Sequence, residues 1–319
     1  MTQRREGSPF VGLSTVALKE AADHMTSVRI HLVMLLVALT AIGSVYAAIG
    51  QIKATLGEDP FLFLRLFTTA QPPLPSFVSF LGFLIPLVAI ALGFDAINGE
   101  YSRRTLSRIL SQPIYRDALL AGKFLGGLLV IAICLLALWL LVTGLGMLLL
   151  GLPPSGEEVA RGLAFLFASF VYAGVWLAMA MAFSTLVRSP ATSALCALTV
   201  WLLFTVFWPM LAPLIAGVVV PIDPLDPMTA VHQIGLEQAI ARVSPNTLYG
   251  EATLALLNPA TRSLGLLFAD QMSGAVMGAP LPFSLSMALI WPQLAGMIAV
   301  LLLLFTIAYV SFQRQEIRA

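Results

Sequence analysis

Charge is scarce in this chain. Only 10% of its 319 residues are Asp, Glu, Lys or Arg, while 59% are hydrophobic. A soluble domain carries about 25% charged residues, so a soluble multidomain enzyme is a poor fit and a polytopic membrane protein a good one. The formal net charge of +1 offers nucleic acid no electrostatic footprint. Cysteine is nearly missing: Cys134 and Cys196 both lie inside apolar runs and read as small buried hydrophobes, not as a disulfide or metal pair. Histidine is also rare. His24 and His31 fall two turns apart on one expected helical face, but two ligands are too few for a structural metal and no third donor stands at a suitable spacing. His232 and Glu237 read as solvated. There is no HExxH and no GxSxG, so the sequence calls for neither a metal nor a cofactor. A phosphate-binding loop is lacking too. The single Gly-Lys pair, Gly122-Lys123, is followed by Phe124, and Asp117 stands where the first glycine belongs.

What the chain has instead is long apolar runs. A helix needs roughly 20 apolar residues to cross the hydrocarbon core, and six segments qualify: Ile30 to Gly50, Phe77 to Ile97, Phe124 to Leu152, Gly162 to Val187, Ala191 to Val219 and Phe283 to Phe312. The first is longer than the roughly 7–15 residues of a signal core, and it follows a long polar lead, so it reads as a retained span. Pro86, and Pro209 with Pro213, should kink their helices. The twelve methionines form no ligand stripe and suit adaptable packing.

Lysine and arginine set orientation. With the N-terminus placed inside, Arg4, Arg5, Lys19, Arg29, Arg103, Arg104, Arg108, Arg116, Lys123, Arg188, Arg314 and Arg318 fall on the cytoplasmic side. Lys53, Arg65, Arg161, Arg242 and Arg262 fall outside among acids, on longer loops. The expected architecture is an all-α membrane protein of six spans, with both termini cytoplasmic and the whole of 1–319 forming one domain. It has a leading segment over 1–29, a cytoplasmic link over 98–123 and a large outer loop over 220–282. In that loop, Thr229 to Val243 shows near-helical spacing, and SPNTLYGEATLALLNP and TRSLGLLFADQ read as two more short helices too short to span. Residues 51–74 read as a loop ending in prolines.

The cytoplasmic link concentrates four arginines in FDAINGEYSRRTLSRILSQPIYRDALLAGKFLGG. Span two should end near Asn98-Gly99, and a short helix from Tyr101 to Ser111 should follow, stopped before Pro113. Leu106, Ile109 and Leu110 would share an apolar face, and Arg104 and Arg108 a cationic one, with Glu100 four residues ahead of Arg104 in the favourable order. A further helix would begin near Ile114. One reading is a basic loop whose arginines reach anionic headgroups. The other is a docking knob for a cytoplasmic protein with a groove and an acidic rim. Lys123 reads as a helix-end lysine reaching the interface. Asp95, near the inner end of span two, reads as an anchor or gating acid within reach of Lys123 or an arginine.

Glu100, Thr105-Leu106, Ile109-Leu110-Ser111, Pro113, Arg116 and Ala121-Gly122-Lys123-Phe124 together resemble the signature of ABC-2 type permeases, the membrane subunits of ATP-binding-cassette transporters. That pattern has Ser-Gly or Gly-Gly before Thr-Leu, where this chain has Arg103-Arg104. ALKEAADHMTSVRIHLVML resembles the family's elbow helix, and FQRQEIRA its basic tail. FLIPLVAIALGFDAINGE, SPNTLY and SGAVMGAPLP are similar to the subgroup that includes the permease accompanying nitrous oxide reductase maturation proteins. The resemblance implies a homodimer that pairs with two separate ATPase subunits in the cytoplasmic membrane. ATP and Mg would be bound by those partners, and Glu100, Arg103, Arg104, Thr105, Leu106, Arg108, Ile109, Pro113 and Arg116 would form the coupling element.

From the residues alone, a membrane scaffold or sensor with an outer-face binding loop stays open as an alternative. An intramembrane enzyme is the weakest option, since no nucleophile–base or metal cluster is visible. For cargo, the apolar spans lean toward amphiphiles and the subgroup resemblance toward a small species. The orientation has a direct check. In a cysteine-free background, a cysteine at Ser107 should react with a membrane-impermeant maleimide only in inverted vesicles. One at Leu225 should react only in intact cells.

Overall fold

The computed structural model describes residues 12–54, 61–72, 74–105, 115–264 and 280–315. Among these the chain is helical, with no strand and two isolated bridges, Gln71 with Leu74 and Asp223 with Asp226. A short helix α1 (Leu13–Met25) leads into α2 (Val28–Ala54), α3 (Leu62–Thr68), α4 (Phe77–Gly93) and α5 (Asn98–Ser102). Then follow α6 (Arg116–Leu150), α7 (Gly156–Leu186), α8 (Pro190–Leu202), a π-turn over Leu203–Phe207 and α9 (Trp208–Val219). Two helices, α10 (Pro227–Ala241) and α11 (Pro245–Leu257), precede the last, α12 (Phe283–Arg314). Six helical stretches are long and apolar enough to cross a membrane: Val28–Lys53, Phe77–Ser102, Arg116–Leu150, Gly156–Leu186, Pro190–Val219 and Phe283–Arg314. The expected all-α architecture of six spans is borne out.

The bundle is built around α7. Its residues from Val171 to Ala182 are buried without interruption, the pattern of a helix enclosed on all sides. It packs against α4, α6, α11 and α12. Tyr172 of α7 stacks flat on Tyr249 of α11, with ring centroids 4.3 Å apart. Its hydroxyl lies 3.1 Å from the Gly82 carbonyl and 3.0 Å from Asn246 Oδ1. Tyr249 pairs in turn with Ser169 at 2.9 Å. Buried phenols need such partners, and here they fasten α11 into the bundle. That helix therefore belongs to the core and is not a lid lying on the lipid interface.

Several boundaries differ from the expected ones, each for a local reason. The Ser155 hydroxyl and Glu158 form a reciprocal capping box, which starts α7 at Gly156. The stretch 51–74 contains a helix, α3, with Phe63, Leu64, Leu66 and Phe67 buried, and the Phe63 N–H donates to the Glu158 carboxylate at 2.8 Å. The fifth run stays helical through its prolines. Pro209 has no N–H to give to the residue four back, and the π-turn over Leu203–Phe207 stands just ahead of it, with Trp208 between. Pro213 and Pro292 lie inside α9 and α12. His24 lies in the last turn of α1 and His31 in the first turn of α2, with a break at Thr26 and Ser27, so the two do not share one helix. The segment TRSLGLLFADQ falls mostly outside the described residues, and its described part, through Leu264, is not helical.

At the end of the bundle opposite the 98–116 link, Arg161 is fully buried. Its guanidinium donates to Glu157 at 2.9 and 3.0 Å, to the Leu256 carbonyl at 3.0 Å, to Ser286 at 3.1 Å and to the Leu281 carbonyl. One side chain thus ties α7, α11 and the entry of α12. Removing it strands the buried Leu256 carbonyl, at about 1–3 kcal/mol, and frees the part-buried Leu281 carbonyl. Arg161→Met should therefore lower the detergent-solubilised Tm by several degrees, and Arg161→Lys should recover only part, because an ammonium lacks the fork that spans these acceptors.

Candidate functional site

The link at the other end rests on a buried ion cluster. Lys123, two turns into α6, has a side chain only 5% exposed. Its Nζ lies 2.9 Å from Glu20 of α1 and 3.3 Å from Glu100 of α5. The expectation of a lysine reaching the interface is corrected: the ammonium points inward, toward two carboxylates. Lys19 adds a second cation, 3.1 Å from Glu20 and 2.8 Å from Asp23. Burial works against the Lys19 charge, but the bonds from Asp23 and Glu20 prevail and raise its pKa. His24 is half-buried, and burial pushes its pKa down despite the nearby Glu20.

Close helix approach makes the cluster possible. A Cβ on Gly122 would sit 2.8 Å from Val16, and one on Gly126 would sit 2.8 Å from the Ala17 carbonyl and 2.9 Å from the Glu20 Cβ. The small-xxx-small step Gly122/Gly126 lets α1 lie directly on α6, which carries Glu20 to Lys123. The Gly-Lys pair that fails as a phosphate loop is thus part of a helix-packing seam.

Glu100 has further duties. It accepts from the Thr105 hydroxyl, and its backbone carbonyl accepts the Thr105 N–H at 3.0 Å. The helix expected from Tyr101 to Ser111 is corrected in its described part. The chain leaves helix at Ser102, turns through Arg103, and Arg104 takes a left-handed φ of 56°. That is the position where the resembling pattern carries glycine, and a non-glycine residue there costs about 1–2 kcal/mol. Glu100 does not pair with Arg104, as the i, i+4 spacing suggested. It holds Lys123 and Thr105 instead. Arg103 and Arg104 are exposed. Leu106, Arg108, Ile109 and Pro113 lie outside the described residues.

The chain resumes at Tyr115, and α6 starts at Arg116. Arg116 donates to the carbonyls of Gln313 at 3.3 Å and Gln315 at 3.0 Å. Asp117 accepts from the Gln313 side chain, and the Gln315 side chain donates to the Thr185 carbonyl. The far foot of the link is therefore lashed to the last turn of α12. Asp95 pairs with Arg29 of α2 at 2.9 Å, and Arg29 also lies over the Phe94 ring at 5.6 Å. Asp95 is thus an anchor held by an arginine, and Lys123 is engaged elsewhere. A cavity of about 260 Å³ opens among Glu20, Asp23, His24, Arg29, Asp95 and Lys123. No group of three or more His, Cys, Asp or Glu side chains suited to a metal occurs among the described residues.

The sequence put Glu100, Arg103, Arg104, Thr105, Arg116, Asp95 and Lys123 in one region, and the described structure gathers them at one end of the bundle. It missed Glu20 and Arg29, because their partners lie 103 and 66 residues away. The available signal was the glycine pair at 122 and 126, which marks a helix seat.

Residues 14–317 match the family model described as ABC-2 family transporter protein. The chain is 28% identical over 309 residues to a probable ABC transporter permease protein NosY of Stutzerimonas stutzeri, covering 94% of this chain and 97% of that protein. It is 28% identical over 248 residues to a probable ABC transporter permease protein NosY of Pseudomonas aeruginosa, covering 71% and 83% respectively.

Removing one partner from a buried ionic group costs about 3–5 kcal/mol, whereas neutralising the whole group costs far less. Lys123→Met alone should release α1, read as rapid hydrogen exchange over residues 13–25. Combining it with Glu20→Gln and Glu100→Gln should restore much of the protection.

Proposed function

The chain belongs to the ABC-2 transporter family, and we propose that it is the membrane subunit through which a separate ATPase drives transport across the cytoplasmic membrane. Two copies pair with two ATPases. The 98–116 link is the element on which the ATPase acts, with Glu100, Arg103, Arg104, Thr105, Leu106, Arg108, Ile109, Pro113 and Arg116 at or beside the contact.

The observation that carries this reading is the anchoring of the link at both feet. The near foot is held by Glu100 to Lys123 and through it to α1. The far foot is held by Arg116 to the end of α12. A push on a segment with loose feet would be absorbed locally. Here the load passes into α1, α4, α6 and α12. The exposed Arg103 and Arg104 offer cations to an acidic rim, which favours orientation and association rate.

The test separates charge from backbone shape. Arg103→Glu with Arg104→Glu should weaken co-purification with the cognate ATPase by about tenfold or more. Arg104→Gly, which suits the left-handed φ, should stabilise the link while removing one charge. If Arg104→Gly and the double reversal both leave ATPase association and stimulation unchanged, the docking reading fails.

A further inference from the structure

A larger cavity, about 730 Å³, lies at the link end on a different face of the bundle, between the ends of α5, α7 and α12. Its walls are of two kinds. Toward the bundle's middle they are apolar, with Ile97, Ile307 and Val310. At its rim stand Arg188, in the short connection between α7 and α8, and Arg314, in the last turn of α12. Both arginines are exposed. Arg188 lies over the Tyr101 ring at 5.9 Å. Among the described residues neither has a carboxylate partner.

The inner wall also carries an unfilled acceptor. Asn98 is 2% exposed. Its Nδ2 donates to the Val187 carbonyl at 3.1 Å, which fixes the amide's orientation, and its Oδ1 has no partner. Ser184 beside it accepts the N–H groups of Ile97 and Asn98 at 2.9 and 3.2 Å, leaving its own hydroxyl proton to give. Oδ1 itself is covered by its neighbours; a buried carbonyl oxygen without a donor costs about 1–3 kcal/mol, which favours a ligand whose seating uncovers it and supplies one.

We propose that this cavity binds an anionic phospholipid whose headgroup carries hydroxyls, of the phosphatidylglycerol class. The phosphodiester meets the arginine pair, for which guanidinium forks are well shaped. A glycerol hydroxyl donates to Asn98 Oδ1 and accepts from Ser184. The acyl chains continue along the apolar wall. From Thr306 to Arg314 that wall rises roughly 12 Å, enough for a headgroup and the first acyl carbons. A choline headgroup has no hydrogen to give Asn98 and brings a cation toward two others. This inference goes beyond the transporter reading and does not depend on ATPase docking.

The experiment is native mass spectrometry of the purified full-length protein. It is titrated with phosphatidylglycerol, phosphatidylcholine and phosphatidic acid, and with inorganic phosphate as a soluble competitor. Phosphatidylglycerol should be retained well above phosphatidylcholine, and Arg188→Ala with Arg314→Ala should reduce its retention about 30-fold. Asn98→Val should erase the advantage of phosphatidylglycerol over phosphatidic acid while leaving phosphatidic acid retained. The two arginines are exposed, so their replacement leaves the fold intact, and monodisperse elution verifies this. Equal retention of phosphatidylglycerol by the double arginine variant would overturn the proposal. So would displacement of the lipid by millimolar phosphate, which would mark a free-anion site. A shift in oligomeric state on arginine replacement, with lipid retention unchanged, would also overturn it and assign the cavity to a second copy.

Discussion

A single ammonium held between two carboxylates organises this end of the molecule. Lys123 belongs to a span, Glu20 to the leading helix and Glu100 to the short helix that closes the preceding span. None of the three is at home in a low-dielectric interior alone, since an isolated buried charge costs several kcal/mol. Together they satisfy one another, and Lys19 and Thr105 complete the shell. The chemistry of this cluster explains why α1 lies against the bundle and why the link leaves the membrane where it does.

Packing and electrostatics cooperate in this arrangement. The glycine seat on α6 brings α1 close enough for Glu20 to reach Lys123. The ion pair in turn gives α1 a defined register on a surface that van der Waals contact alone would leave slippery. The opposite end repeats the logic with different residues. Arg161 there gathers backbone carbonyls and a carboxylate from three elements, and Arg242 pairs with Glu251, which Gln293 also reaches at 2.9 Å. Ionic groups at the two ends fix the frame, while between them the hydrogen bonds of Tyr172 and Tyr249 fasten an otherwise apolar interior.

The broad architecture was legible from the sequence because a membrane imposes a length and a hydropathy that no local detail can hide. Phe77 and Phe283 were placed as first residues of their spans and are. Helix α10 begins two residues before its expected start and ends two before its expected close. What escaped were two features set by distant partners and one set by a local turn. Residues 62–68 looked like loop because their burial depends on α7 and Glu158. Lys123 looked like an interfacial lysine because Glu20 is a hundred residues upstream. The stretch after Tyr101 looked helical because Leu and Arg fall at helical spacing, yet the Thr105 bonds to Glu100 close a turn in place of another helical step.

The π-turn between α8 and α9 has a geometric corollary. Each ordinary helical residue advances the side-chain direction by about 100°, and one added residue in a wider turn offsets everything beyond it by that amount. The rod from Pro190 to Val219 therefore has two azimuths. Its first half looks toward α7 and α4, and its second half toward α10. A heptad ridge drawn along the linear text would change compass bearing at Leu203. Two neighbours, not one, can thus be addressed by a single crossing.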